Sequence, residues 1–211
     1  MILKEPDISV IIVTYNSAQV IIACIDSIIN NSKEVGIEIL IVDNGSTDNT
    51  CEILEQNYTD ITIISGHGNV GFAAGNNIGF QAAQGRYFLI LNPDTEISSG
   101  ALRILKDYAD SHPKVGMIAP RVVNPDGTLQ HSTFRFPNLL QAFYGFFEKL
   151  IPIDSTRNGR YAPEEYCKER SVEHILGAAI FVQRQLWLQI GGMDNNYKLY
   201  FEETDWCYRA H

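Results

Sequence analysis

The chain has 211 residues, 45% of them hydrophobic, which suits one large domain with a sizeable core. A formal net charge of −9 argues against a general nucleic-acid binder, since phosphate contacts need clustered Lys and Arg. Four scattered cysteines, Cys24, Cys51, Cys167 and Cys207, form no CxxC pair, so a reduced, cytoplasmic setting fits better than a disulfide framework. The apolar N-terminal run is broken by acidic and polar residues, unlike a secretory leader, and no segment approaches the length of a membrane span.

The first predicted element is a β-branched strand, Ile8–Val13, running into Thr14-Tyr15-Asn16-Ser17. Ala18–Asn30 follows as a helix, with Val20, Ile21, Cys24, Ile25 and Ile28 at helical spacing. A second strand, Glu38–Val42, runs into Asp43-Asn44-Gly45-Ser46-Thr47-Asp48, and Thr47–Asn57 opens as a helix on a Ser/Thr/Asp cap signal. Strand Ile61–Ser65 and helix Ala73–Gln84 come next, then strand Tyr87–Leu91, helix Ser98–Ser111 and strand Val115–Ala119. Short apolar strands alternating with helices predict a doubly wound α/β fold: a mostly parallel, Rossmann-like central sheet flanked by helices.

The character changes near residue 120. Arg121–Gln130 carries a hairpin turn, Asn124-Pro125-Asp126-Gly127. Phe134–Ile151 is aromatic, and 152–172 reads as a loop with Pro152, Asn158-Gly159 and Pro163. A last apolar strand, His174–Val182, a short helix, Gln183–Ile190, and an acidic turn at Glu202-Glu203-Thr204-Asp205 close the chain.

Three strands thus end in polar turns, and in a parallel sheet the ligand crevice lies beyond the carboxyl ends of the strands. Tyr15 can stack on a base there, and Asp43 can accept from a pyrimidine N3–H. Asp94, in Leu91-Asn92-Pro93-Asp94, can hold a divalent cation against phosphate. Each alone also reads as ordinary turn or cap chemistry; three on parallel strand ends favour a nucleotide site. Asn69-Val70-Gly71-Phe72-Ala73-Ala74-Gly75-Asn76 lacks the dinucleotide fingerprint, but glycines four apart let a helix approach a sheet or ligand closely, and Phe72 reads as core. The carboxylates at 202, 203 and 205 sit beside Tyr197, Tyr200 and Phe201. They read either as general bases or as the acidic first turn that a helix dipole favours.

Taken in order, Val13-Thr14-Tyr15-Asn16, Val42-Asp43-Asn44-Gly45-Ser46-Thr47-Asp48, Asn69–Asn76, Leu91-Asn92-Pro93-Asp94, Gly191-Gly192-Met193-Asp194 and Phe201-Glu202-Glu203-Thr204-Asp205 resemble family 2 inverting glycosyltransferases. Asp126–Ser132 with Arg135-Phe136-Pro137 is similar to the rhamnosyltransferase-like branch. The resemblance implies a GT-A fold over one domain, 1–211, with a nucleotide-sugar-binding half, 1–120, and an acceptor and catalytic half, 121–211. It implies more helix beyond His211. It also implies transfer of rhamnose or another hexose from a dTDP- or UDP-sugar to a saccharide or lipid-linked saccharide acceptor in cell-surface polysaccharide synthesis.

By that resemblance Thr14, Tyr15, Asn16, Asp43, Asn44, Gly71, Asn76 and Asn92 serve the nucleotide, and Asp94 carries Mg2+ or Mn2+. Gly177, Ala178 and Asp194 lie near the sugars, and Glu203 is the base with Glu202 and Asp205 in support. Two departures stand out. Asn92 replaces the first Asp of the family's DxD, a neutral oxygen for a carboxylate. Glu203 stands where Asp is more usual, reaching about one methylene farther.

Two other functions compete. A sugar nucleotidyltransferase wants a basic, Gly-rich first loop, and Thr14-Tyr15-Asn16-Ser17 has no basic residue. A non-catalytic nucleotide-sugar-binding module fits the Asn92 substitution. The segment Leu139–Ile151 reads as a core helix or as a surface lying on the inner face of a membrane. Its few Lys and Arg favour the core. Nothing in the sequence fixes an oligomeric state.

Overall fold

The computed structural model describes residues 5–137, 159–197 and 200–211. A six-stranded sheet forms the centre. Its strands are β1 (Ile8–Thr14), β2 (Ile37–Asp43), β3 (Thr62–Ile64), β4 (Tyr87–Leu91), β5 (Met117–Ile118) and β10 (Ala179–Gln183), in the order β3-β2-β1-β4-β10-β5. Pairs β1–β2, β1–β4 and β2–β3 are parallel, while β10 runs antiparallel to both β4 and β5.

The period of 2 along these strands feeds two cores. Val10 and Ile12 of β1, Leu89 and Leu91 of β4, and Phe181 of β10 face one core. Ile11, Phe88, Ile90, Ile180 and Val182 face the other. The first core takes α1 (Ile21–Asn30) through Ile21, Cys24, Ile25 and Ile28, and α4 (Ala101–Ser111) through Leu102, Leu105 and Ala109. It also takes Leu54 of α2 (Thr50–Asn57). The second core takes α3 (Phe72–Ala82), α5 (Arg184–Ile190) and α6 (Glu202–Ala210). Gly75 and Gly79 make the α3 contact. A Cβ on Gly75 would sit 2.8 Å from Val13 Cγ1, and one on Gly79 would run into Ile11 Cγ2.

Two small sheets lie outside. β6 (Val122–Val123) and β7 (Leu129–Gln130) form the expected hairpin, closed by Asn124 N–H donating to Thr128 O at 2.8 Å. β8 (Thr133–Phe134) pairs with β9 (His174–Ile175). A 3₁₀ turn spans Pro163–Cys167, within the segment expected to be loop.

The expected strand His174–Val182 is therefore two. The apolar run hides a break at Leu176-Gly177-Ala178, where the chain leaves the small sheet for the large one. Three helices begin three residues later than expected, α4 among them, where Ser98 O first accepts from Ala101 N–H at 3.1 Å. Ser17 O first accepts turn bonds from Val20 and Ile21, so α1 starts at Ile21. Asp48 accepts from Thr50 N–H at 3.1 Å and from its hydroxyl at 2.5 Å, so α2 starts at Thr50. No helix among the described residues is long and apolar enough to cross a membrane. The Leu139–Ile151 segment lies outside the described residues.

Candidate functional site

The crevice forms at the carboxyl ends of β1, β2 and β4. Asn44 N–H donates to Thr14 O at 2.8 Å, tying the first two strand ends together. Asn16 has φ +52°, a left-handed conformation that Asn tolerates. Its Oδ1 accepts from Thr47 N–H at 2.7 Å and from Asp48 N–H at 3.3 Å, and its own N–H donates to Ser46 Oγ. Asn16 is exposed, and its side chain knits the two loops together. Between them Tyr15 is 51% exposed, its ring open to a ligand.

Asp43 is buried, and its carboxylate accepts from Gly45 and Ser46 N–H at 3.2 Å. Asn44 donates through Nδ2 to Gly71 O at 3.1 Å, and its Oδ1 faces His67 Nε2 at 3.4 Å. Gly71, at φ +87°, caps α3 and also accepts from Gly75 N–H. Asn76 is fully buried; its Nδ2 donates to Phe72 O, while its Oδ1 and the Thr14 hydroxyl have no partner among the described residues.

Past β4, Asn92 N–H donates to Ala178 O at 3.0 Å, so the start of β10 lies directly on the Asn92–Asp94 turn. Asn31 and Ser27 of α1 hold Ile97 of the same loop. Cys24 donates its S–H to Asn92 O at 3.7 Å; burial pushes this thiol up to about 12, so it is an inert support. Asp94 is exposed. Among the described residues no three His, Cys, Asp or Glu side chains gather into a metal cage. One carboxylate beside an amide oxygen fits an ion that takes its remaining ligands from a diphosphate, the usual manner of Mg2+. Gly177 packs on Phe72, where a Cβ would meet the ring at 3.2 Å.

The second part of the site is α6. Trp206 is fully buried, lies 5.4 Å from Phe80 and donates Nε1–H to Gly191 O at 2.9 Å. Arg209 donates to Ile190 O and Gly192 O at 2.7 Å and pairs with Asp205 at 2.8 Å. Asp205 therefore serves this latch and faces Arg209. Asn77 of α3 holds both the N–H and the carbonyl of Met193, while Asp194 closes its own turn by accepting from Asn196.

These anchors fix Glu202 and Glu203, which are only 3% and 7% exposed. Each leaves one buried carboxylate oxygen, Oε2, without a partner among the described residues. Burial pushes the Glu202 carboxyl up; a backbone N–H offsets part of this, and the Glu203 charge adds to the rise. Glu203 Oε1 lies 3.9 Å from His174 Nε2, which also meets Thr204 Oγ1 at 3.1 Å.

Sequence reasoning missed His174, Thr204, Asn77 and Arg209. Only tertiary placement brings them to the site, and a lone His in an apolar run carries no pattern. A cavity of about 570 Å³ lies elsewhere, walled by Leu105, Ile118, Tyr166, Ile175 and Leu186. It contains none of the candidate residues, although Cys207 in its wall lies one helical turn from Glu203.

Comparison with known proteins agrees with this geometry. The N-acetylglucosaminyl-diphospho-decaprenol L-rhamnosyltransferase of Mycobacterium tuberculosis is 28% identical over 190 residues, covering 82% of this chain and 61% of the relative. The low-salt glycan biosynthesis hexosyltransferase of Haloferax volcanii is 28% identical over 215 residues, 97% of this chain and 61% of its own. The chain thus spans about three fifths of the length of these relatives. Among solved structures, Staphylococcus aureus TarS superposes with a TM-score of 0.64 at 20% identity, over 97% of this chain and 55% of that one. A Pyrobaculum calidifontis mannosyltransferase, solved with GDP-Man and Mn2+, also gives 0.64, at 19% identity over 95% and 50%. The family described as glycosyl transferase family 2 matches residues 9–166. Three quarters of the sequence, the mixed sheet with its crevice at the strand ends and the superposed neighbours agree: the chain belongs to glycosyltransferase family 2 and has the GT-A fold.

Proposed function

We propose that the chain is the catalytic domain of an inverting hexosyltransferase that moves rhamnose or another hexose from a dTDP- or UDP-sugar to a saccharide or lipid-linked saccharide acceptor. The observation that carries this reading is Glu203: a nearly buried carboxylate with one oxygen unpartnered among the described residues, on a helix anchored through Trp206 to Phe80 of α3. Such an oxygen is suited to accept a proton. The relatives add the substrate class, since one acts on a lipid-linked saccharide and a solved TarS complex holds UDP-GlcNAc.

The chemistry follows from the two ends of the site. Tyr15 stacks on the base of the nucleotide, and Asp43 accepts from its N3–H. Asn92 and Asp94 meet the diphosphate. Asp94 would hold Mg2+ or Mn2+, which supplies Lewis-acid charge neutralisation for the departing diphosphate. Gly177 and Ala178 leave room for the donor sugar. On the opposite face of the anomeric carbon, Glu203 takes the proton of the acceptor hydroxyl as its oxygen attacks. The new C–O bond forms as the bond to the diphosphate breaks, and configuration inverts without a covalent enzyme intermediate.

The free thiols Cys24, Cys51, Cys167 and Cys207 suit a cytoplasmic site of action, peripheral to the membrane that holds a lipid-linked acceptor. A calorimetric panel of UDP, dTDP and GDP, each with and without Mn2+, tests the donor half. UDP or dTDP should bind tighter than GDP, and Asp94→Ala should abolish the metal-dependent gain while the fold stays intact. Tighter GDP binding would overturn the pyrimidine assignment, and an unchanged metal effect would leave Asp94 a plain turn residue.

A further inference from the structure

His174 has no part in the scheme above. It sits on β9, its backbone paired with Phe134 of β8 and its ring 5.8 Å from the Phe134 ring. Its side chain is 12% exposed, so strand pairing and packing hold it in place. The ring nitrogen Nε2 points at two groups on successive residues of α6, the Thr204 hydroxyl at 3.1 Å and Glu203 Oε1 at 3.9 Å. The first distance is a hydrogen bond; the second is a short electrostatic contact beyond hydrogen-bond range. Catalytic contacts of this kind are often long without substrate and tighten when it binds.

The two oxygens of Glu203 are therefore unequal. Oε1 lies on the imidazole side, and Oε2 is buried with no partner among the described residues. A carboxylate free to rotate would offer either oxygen, or would turn toward its own helix. An imidazole edge seated on the Thr204 hydroxyl and next to Oε1 restricts that freedom.

We propose that His174, fixed by Thr204, is the positioning residue of the base: its contact with Glu203 Oε1 sets the orientation of the carboxylate that receives the acceptor proton. The inference rests on Glu203 being the base. His174 takes no proton from the acceptor. The acceptor O–H bond breaks, its proton goes to the Glu203 carboxylate, the electron pair left on oxygen forms the new glycosidic bond, and the bond to the diphosphate breaks.

The experiment is a double-mutant cycle on nucleoside-diphosphate release from UDP-glucose, UDP-N-acetylglucosamine and dTDP-rhamnose, with water in the place of the acceptor. His174→Phe keeps the ring and its packing on Phe134 but deletes Nε2. It should lower kcat by about 10–100-fold, the usual effect of losing a group that orients a reacting one, with KM for the donor unchanged. His174→Gln, whose amide reaches the Nε2 position, should restore most of the loss. His174→Asn, which falls short of it, should behave like His174→Phe and replaces that variant should it not fold. In a Glu203→Gln background His174→Phe should have no further effect, because residues acting as a unit are not additive.

Three results would overturn the proposal while leaving the base in place: an equal, additive loss in that background, a rise in donor KM at constant kcat, or no rescue by His174→Gln. Full turnover by Glu203→Gln alone would overturn the assignment of the base, and this inference with it.

Discussion

Around Asn16, Asp43 and Asn44 most side-chain polar groups bond within or between the loops that follow β1, β2 and β3, and the exceptions among the described residues, Thr14 Oγ1 and Asn76 Oδ1, are buried. At the head of α6 the plan is reversed. Tryptophan and arginine latch are satisfied, and the two glutamates they support are each left with an oxygen that has no hydrogen-bond partner among the described residues. An unsatisfied buried polar group is destabilising by about 1–3 kcal/mol. On the proposed function, the first arrangement suits a rigid surface that binds, and the second keeps a reactive group unquenched. The difference teaches where to expect each kind of defect: substitutions in the crevice should show in affinity, and those at Glu203 in rate.

The sharpest break is Glu203→Gln. It keeps size and polarity but cannot accept a proton, so turnover should fall by about 10²–10⁴-fold with donor binding nearly unchanged in calorimetry. Near-normal turnover beside an inactive Glu202→Gln would move the base by one residue. On the other side, Asp43→Ala removes the proposed base contact and also releases Gly45 and Ser46 N–H. UDP and dTDP affinity should weaken by about 1.5–3 kcal/mol, while kcat at saturating donor stays near that of the parent chain.

Gly79→Ala tests the scaffold beneath both. Its Cβ has no room beside Ile11, so urea unfolding should show a loss of about 1–3 kcal/mol, as for overpacked cores. The smallest effect belongs to Glu202→Gln. Burial raises the Glu202 carboxyl, so its stabilising contribution is full below the ordinary carboxylate value and is lost as pH rises through the raised one. The Gln variant should therefore melt higher than the parent chain at pH 7, and the gain should vanish as pH falls to the ordinary carboxylate range. A gain independent of pH would mean that packing, not charge, is relieved.

The large sheet was legible because β1, β2 and β4 are unbroken apolar runs ending in polar turns, and burial on both faces leaves few other arrangements. The starts of α1 and α2 were less so. Ser17 and Asp48 look like residues inside a helix-opening cluster, yet each first closes a turn of its own. The break at Leu176–Ala178 and the direction of β10 were not legible at all. An apolar run reads the same whether it stays in one sheet or crosses to another, and pattern carries no sign of strand direction. In the site, Tyr15, Asp43 and Asp94 could be named because strand ends announce themselves. The same signals did not show that Asn16 and Asn44 are largely occupied in joining loops, that Asp205 answers to Arg209, or that His174 approaches Glu203. Those facts depend on which elements meet.

The reversed strand has a consequence for how this protein can change. Because β10 runs against β4, the crevice receives the beginning of β10 and with it the stretch leading in from β9. Residues 174–178 are thus pinned at both ends, His174 near Glu203 and Ala178 on Asn92. Five residues extend at most about 14 Å between their outer Cα atoms, at roughly 3.6 Å per step, so the stretch acts as a gauge between the proposed base and the proposed diphosphate turn. Insertions into the β6–β7 hairpin leave that gauge untouched. A single residue added between Leu176 and Gly177 resets it, and the two halves of the reaction would no longer be spaced for the same sugar.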